Sequence, residues 1–208
     1  RHVRLAPLVV LLPAISSALG LALGRRREVS AALAVLGTAA ALVVAVVAAS
    51  DTWGEPGSID VWATIPTGWV PITVSTRVDA LGLTVAVMVA AVALAVQVYS
   101  VSYMAAEPRY RTYAAFVSLF TSAMLLVVVA DDLVVLLVGW EVMGLCSYLL
   151  IGHLWELSEA RAAAVKAFVV TRLGDVGFLF GIFVLGDAVG SFQVSTLELS
   201  GVQPSGSV

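Results

Sequence analysis

Charge is scarce in this chain of 208 residues: 12% of its side chains are Asp, Glu, Lys or Arg, against 61% that are apolar. Soluble domains carry about 25% charged residues, so a water-facing globular surface is excluded and an integral membrane protein is expected. Cysteine is nearly absent. Cys146 alone excludes an internal disulfide, and with no CxxC and no Cys/His cluster the chain is expected to hold no metal. The 11 basic and 14 acidic residues give a net charge of −3 and fall in clusters between uncharged runs, so no basic face exists for nucleic acid. No GxGxxG follows a strand-like run, which argues against dinucleotide binding by this chain.

What is abundant is uninterrupted apolar sequence. A bilayer core about 30 Å thick needs about twenty residues of helix, and six runs reach that length: 5–24, 29–50, 80–104, 112–130, 133–155 and 162–186. Barrel strands would need only about ten residues and would alternate, so the fold class expected is all-α and integral to the membrane, with about six transmembrane helices. The opening "RHVRLAPLVVLLPAISSALGLALG" has the layout of a secretory signal, but its apolar run is of full spanning length and five more follow, which favours a first membrane helix. A start at Arg1 and a polar "GVQPSGSV" close are read as the ends of a fragment.

The regions expected are two peripheral helices in 1–50, an outer loop over 51–78, helices three to six in 79–187 and a polar connecting tail over 188–208. In the loop, two β-branched segments flank Pro66-Thr67-Gly68, the pattern of a small β-hairpin. Trp53, Trp62 and Trp69 suit the headgroup layer better than a ligand box. Arg25, Arg26, Arg27, Arg109, Arg111, Arg161 and Lys166 follow the odd-numbered helices, whereas Arg1, Arg4 and Arg77 lie on the other side. By the positive-inside tendency the N-terminus faces outward from a cell's inner membrane.

Four charges fall inside the apolar runs. Glu141, in "LLVGWEVMGLCSYLLIGH", lies eight residues in from Leu133, about 12 Å along the helix, too deep for its side chain to reach water. The apolar residues of that helix return roughly 3–7 kcal/mol against roughly 3 for one central acid, so it inserts, and the carboxyl must face protein or a hydrated cavity. No base lies within a turn of Glu141, so its partner must come from another helix. The next run carries Lys166, Arg172 and Asp175. Arg172 and Asp175, three apart, share a face and can pair, while Lys166 points the other way, about one turn from the cytoplasmic end of its run. These groups fit a proton or ion path, but buried ion pairs also serve helix packing, and Lys166 also fits an interfacial lysine.

"GWE", then "GLCSYLLIG", then "KAFVVTR.GD" together resemble the antiporter-like subunits of proton-pumping NADH:quinone oxidoreductase, respiratory complex I, with the likeness nearest to the distal L-type subunit. It is clear over about half the chain, from about Arg77 to Leu185. The resemblance implies that Glu141 faces a lysine on a discontinuous seventh helix, and that Lys166, Arg172 and Asp175 belong to the proton path. It also implies partners among other membrane subunits of a hetero-oligomer, with NADH, FMN, iron–sulfur clusters and quinone bound elsewhere in the complex. Val142-Met143 departs from the usual Gly-Val and narrows the room expected beside the carboxyl, and His153 replaces an aromatic residue. His153 is read as an interfacial side chain or a proton relay at the cytoplasmic mouth.

The alternatives are the large subunit of a multisubunit Na⁺/H⁺ antiporter, the membrane partner of an inorganic-carbon uptake system, and a non-conducting scaffold. Gly20/Gly24 and Gly177/Gly181 are GxxxG pairs expected at close helix contacts. Asp131 and Asp132 are expected to cap helix five at the outer surface, and Cys146 to fill core space.

Overall fold

The computed structural model describes residues 5–24, 26–52 and 57–200. Its elements are α1 (Leu5–Leu23), α2 (Arg27–Thr52), β1 (Ser58–Ile65), β2 (Ile72–Val78), α3 (Ala80–Tyr103), α4 (Tyr110–Val129), α5 (Leu133–Ile151), a 3₁₀ turn (Gly152–Leu154), α6 (Ser158–Val189) and α7 (Val194–Ser200). The six long helices are each long and apolar enough to cross a membrane, so the chain is a multi-pass membrane protein with one small hairpin. Arg1, Arg4, Arg25, Trp53 and residues 201–208 lie outside the described residues.

Each apolar run becomes one helix, but the ends differ from those expected. α2 starts at Arg27 and α6 at Ser158, because polar residues outside the apolar run continue the helical hydrogen-bond ladder into the headgroup zone. Lys166 is therefore about two turns inside α6 rather than one. The tail, expected as a plain connection, forms α7 after Gly190 closes α6 in the left-handed region at φ 74°, its N–H donating to the Gly186 carbonyl at 2.8 Å.

Small residues let the first four helices approach closely. α1 packs against α2 and α4, and α3 closes against α2 and α4. Ala41, Ala45, Ala86 and Ala90 are fully buried at these seams. Without water to compete, buried hydroxyls and amides cross-link the helices: Ser17 Oγ donates to the Ala115 carbonyl at 2.8 Å, Ser122 Oγ to the Val10 carbonyl at 2.7 Å, and Gln97 Nε2 to the Ala114 carbonyl and Ser118 Oγ, both at 3.0 Å. The GxxxG expectation holds at Gly24, where a Cβ would strike Ser30 of α2, and fails at the other three glycines. A Cβ at Gly20, Gly177 or Gly181 would meet nothing within 4 Å, whereas one at Gly37 or Gly139 would strike Ser16 of α1 or Val127 of α4. Close approach follows the facing side chain, not the spacing of glycines along one helix.

At one end of the bundle, β1 and β2 pair antiparallel around Gly68, whose φ of 81° the turn requires, with a bulge beside Trp62. Trp62 and Trp69 are exposed, consistent with the headgroup reading. Asp131 and Asp132 depart from a simple surface cap, for both are wholly buried. Asp132 caps α5 through the N–H groups of Val134 (2.8 Å) and Val135 (3.3 Å), and also accepts the Thr73 N–H of β2 at 2.9 Å. Asp131 instead accepts from Ser195 N (3.1 Å) and Ser195 Oγ (2.8 Å) at the start of α7. One α4–α5 junction thus ties the hairpin, α5 and the segment after α6 together.

Asp132→Ala leaves three N–H groups, one buried and two part-buried, without their acceptor, and about 2–4 kcal/mol of stability is expected to be lost. The thermal midpoint of the detergent-solubilised intact protein checks this. Asp132→Asn, which keeps one acceptor oxygen, should fall between Ala and the parent.

At the other end, Arg109 donates to Glu107 at 3.1 Å and to Glu156 at 2.9 Å, pinning the α3–α4 turn to the α5–α6 turn. The hydrogen bond from Arg109 holds the Glu107 carboxyl below the usual carboxylate range. His153, in the 3₁₀ turn at this end, is 8% exposed, with Nε2 at 3.6 Å from Glu107 and its ring edge-on to Tyr113.

Candidate functional site between helices five and six

The 3₁₀ turn reverses the chain so that α5 and α6 run antiparallel and in contact. α6 spans 32 residues, about 48 Å, and Arg172 and Asp175 bracket its midpoint. On α5, Glu141 is the ninth residue, so the three charges meet well inside the apolar layer.

Arg172 is the hub. Its Nη1 touches Glu141 Oε2 directly and lies 3.1 Å from Asp175 Oδ2, while its Nη2 donates to the Glu141 carbonyl at 3.2 Å. The guanidinium stacks on Phe168 one turn back, 4.7 Å from the ring centroid. Trp140 completes the set, donating Nε1 to Asp175 Oδ1 at 2.7 Å. Each carboxylate therefore has a charge-assisted partner, and one planar fork serves both. A Cβ at Gly144 would stand 3.2 Å from Arg172 Nη2, so glycine there leaves the guanidinium its place on α5. Beside the cluster is a cavity of about 210 Å³ lined by Trp140, Met143, Ser147, Thr171 and Asp175. Met143 borders this space without filling it.

Exposure of the side chains falls from 41% for Glu141 to 25% for Arg172 and 14% for Asp175. Glu141 is thus reachable from outside the α5–α6 pair, and Asp175 is enclosed by it. Lys166 does not join them. It is exposed, beside Arg161, Val165 and Val169 on another face of α6. Of the four charges singled out by position, three converge and one stands apart. The Arg172–Asp175 pair was legible from its spacing of three; the bond to Glu141 and the indole donor Trp140 were not, because both cross between helices. Cys146 is buried on α5 and takes no part.

Two family models match the chain. Residues 130–206 match "NADH:quinone oxidoreductase/Mrp antiporter, TM", which includes the whole cluster. Residues 62–114 match "NADH-Ubiquinone oxidoreductase (complex I), chain 5 N-terminus". Among curated relatives, NADH-quinone oxidoreductase subunit L of Mycobacterium tuberculosis (strain ATCC 25618 / H37Rv) is 38% identical over 94% of this chain and 31% of its own length. F(420)H(2) dehydrogenase subunit L of Methanosarcina mazei is 38% identical over 86% of this chain and 26% of its own length. The chain spans between a quarter and a third of the length of such relatives. A chain of the membrane-bound sulfane sulfur reductase, an archaeal respiratory membrane complex, shares the fold, with a TM-score of 0.73 over 91% of this chain and 29% of that one, at 22% identity.

Proposed function

The chain belongs to the antiporter-like membrane subunits typified by NADH-quinone oxidoreductase subunit L, and from that premise we propose that it moves protons across the membrane as part of a redox-driven translocase. Glu141 takes up and releases the proton, Arg172 and Asp175 set its charge state, and Lys166 offers a second titratable group on another face of α6. Electrons flow from NADH to quinone through flavin and iron–sulfur clusters of partner subunits.

The observation that carries this reading is the shared guanidinium: Arg172 reaches two carboxylates on two helices at mid-membrane. A fork between two acids can side with either. The neighbouring cavity gives water a place beside Asp175.

Charge placement supports an orientation in the cell's plasma membrane. Among the described residues, Arg26, Arg27, Arg109, Arg111 and Arg161 lie at one end of the bundle and Arg77 at the other, so the first end is assigned to the cytoplasm and the N-terminus to the outside. The family description also names Mrp antiporters, and the F(420)H(2) relative uses another electron donor.

Inverted membrane vesicles carrying the intact complex decide among these. NADH should drive quinone-linked acidification of the lumen with or without Na⁺. Proton exchange driven by a Na⁺ gradient with no electron donor would favour the antiporter instead. Another donor supporting acidification where NADH does not would reassign the electron source.

A further inference from the structure

At the bundle end assigned to the cytoplasm, a cleft of about 460 Å³ opens between the α1–α2 turn and the α3–α4 turn. Its wall carries Arg27, Arg109 and Arg111 against one carboxylate, Glu107. That carboxylate is already engaged by Arg109, which also bonds Glu156. Arg27 and Arg111 form no ion pair with any described residue. Arg27 is held in place: its Nη2 donates to the Val101 carbonyl, and its guanidinium lies 4.6 Å from the centroid of Tyr110. Arg27 Nε and Arg109 Nη1 have no acceptor among the described residues. The N-terminus of α4 opens into the same cleft with no side-chain cap, adding the positive end of a 20-residue helix.

Two arginines without an ion-pair partner, Arg27 held in place and Arg111 exposed, suit an oxyanion with several acceptor oxygens. Two features point to the source of that anion. Tyr99 and Tyr103 are stacked and largely exposed at the end of α3, the place of headgroup-layer aromatics. Leu23, 63% exposed, directly precedes Gly24 in the cleft wall, so apolar surface borders the basic cleft.

We propose that this cleft binds the phosphate of an anionic phospholipid from the cytoplasmic leaflet. The arginines hold the phosphodiester at the depth set by the tyrosines, while the acyl chains run along the apolar surface below. The site is separate from the Glu141 cluster and does not depend on proton translocation.

The test uses the intact complex in phosphatidylcholine nanodiscs doped with photoactivatable phosphatidylglycerol. Label should appear on residues 105–112, and excess inorganic phosphate should not displace it. Arg111→Gln should cut labelling about fivefold, the factor expected for one basic residue at an anionic surface. Because Arg111 makes no hydrogen bond, ion pair or ring contact among the described residues, that loss cannot come from lost packing; Arg27→Gln should act likewise but also loses the Val101 and Tyr110 contacts. Unchanged labelling in Arg111→Gln, or equal labelling by photoactivatable phosphatidylcholine, would overturn the proposal. Displacement by inorganic phosphate would reassign the cleft to a soluble anion and overturn the lipid.

Discussion

Glu141→Gln in the intact complex is expected to lower NADH-driven proton translocation by about tenfold or more, a conservative figure beside the 10²–10⁴ that positioned acid–base groups contribute. The substitution is chosen for what it preserves. Glutamine has the shape of glutamate, keeps an acceptor oxygen toward Arg172 Nη1, and leaves the Arg172 bond to the Glu141 carbonyl untouched. Arg172 still pairs with Asp175, so no charge is stranded. What is lost is the ability to bind a proton. The complex should assemble at normal abundance on a native gel while acidification of inverted vesicles, and the coupled NADH:quinone turnover, fall. Full acidification with full turnover would remove Glu141 from the path. Failure to assemble would instead favour a packing role for the carboxylate.

How far the sequence foretold the fold depended on which signal each element carries. The six helices were legible because a lipid environment demands about twenty apolar residues per crossing, and that constraint leaves a plain mark in any run such as 80–104. The hairpin was legible from β-branched residues around Pro66-Thr67-Gly68. Helix ends were less so. Hydropathy marks where lipid stops, whereas hydrogen bonding marks where a helix stops, and at Ser158 the two are about a turn apart. α7 and the buried state of Asp131 were not legible, since both depend on the segment after α6 folding back onto the α4–α5 junction.

The candidate site divides the same way. A single helix shows its own i, i+3 pairs, so Arg172 with Asp175 could be read directly, and Glu141 could be singled out as a charge in need of a partner. That the partner is Arg172 itself depends on the rotation of α5 against α6, for which residue spacing carries no signal. Gly144, passed over in the sequence, turns out to border the guanidinium. Of the four glycines that did draw attention, Gly20, Gly177 and Gly181 face open space and only Gly24 meets a neighbouring helix.

The second large effect is expected from Arg172→Leu. Removing the hub strands two carboxylates at mid-membrane, Glu141 and Asp175, with the Trp140 indole as the remaining donor to Asp175. Breaking a buried pair in this way costs about 3–5 kcal/mol, and the partial exposure of Glu141 argues for the lower end. The thermal midpoint of the intact protein, and the amount incorporated into the complex, should both drop. Arg172→Lys keeps the charge but replaces a planar fork with one ammonium, which cannot hold Asp175, Glu141 and the Glu141 carbonyl together, so an intermediate loss is expected. The discriminating variant is the triple change Arg172→Leu, Glu141→Gln, Asp175→Asn. With no charge left to strand, assembly should return toward the parent level, because replacing a whole buried ion cluster is often neutral. Proton translocation should stay absent. If the triple variant assembles and also pumps, the charges serve packing alone; if Arg172→Leu assembles as well as the parent, the guanidinium is not the shared partner that its position between α5 and α6 implies.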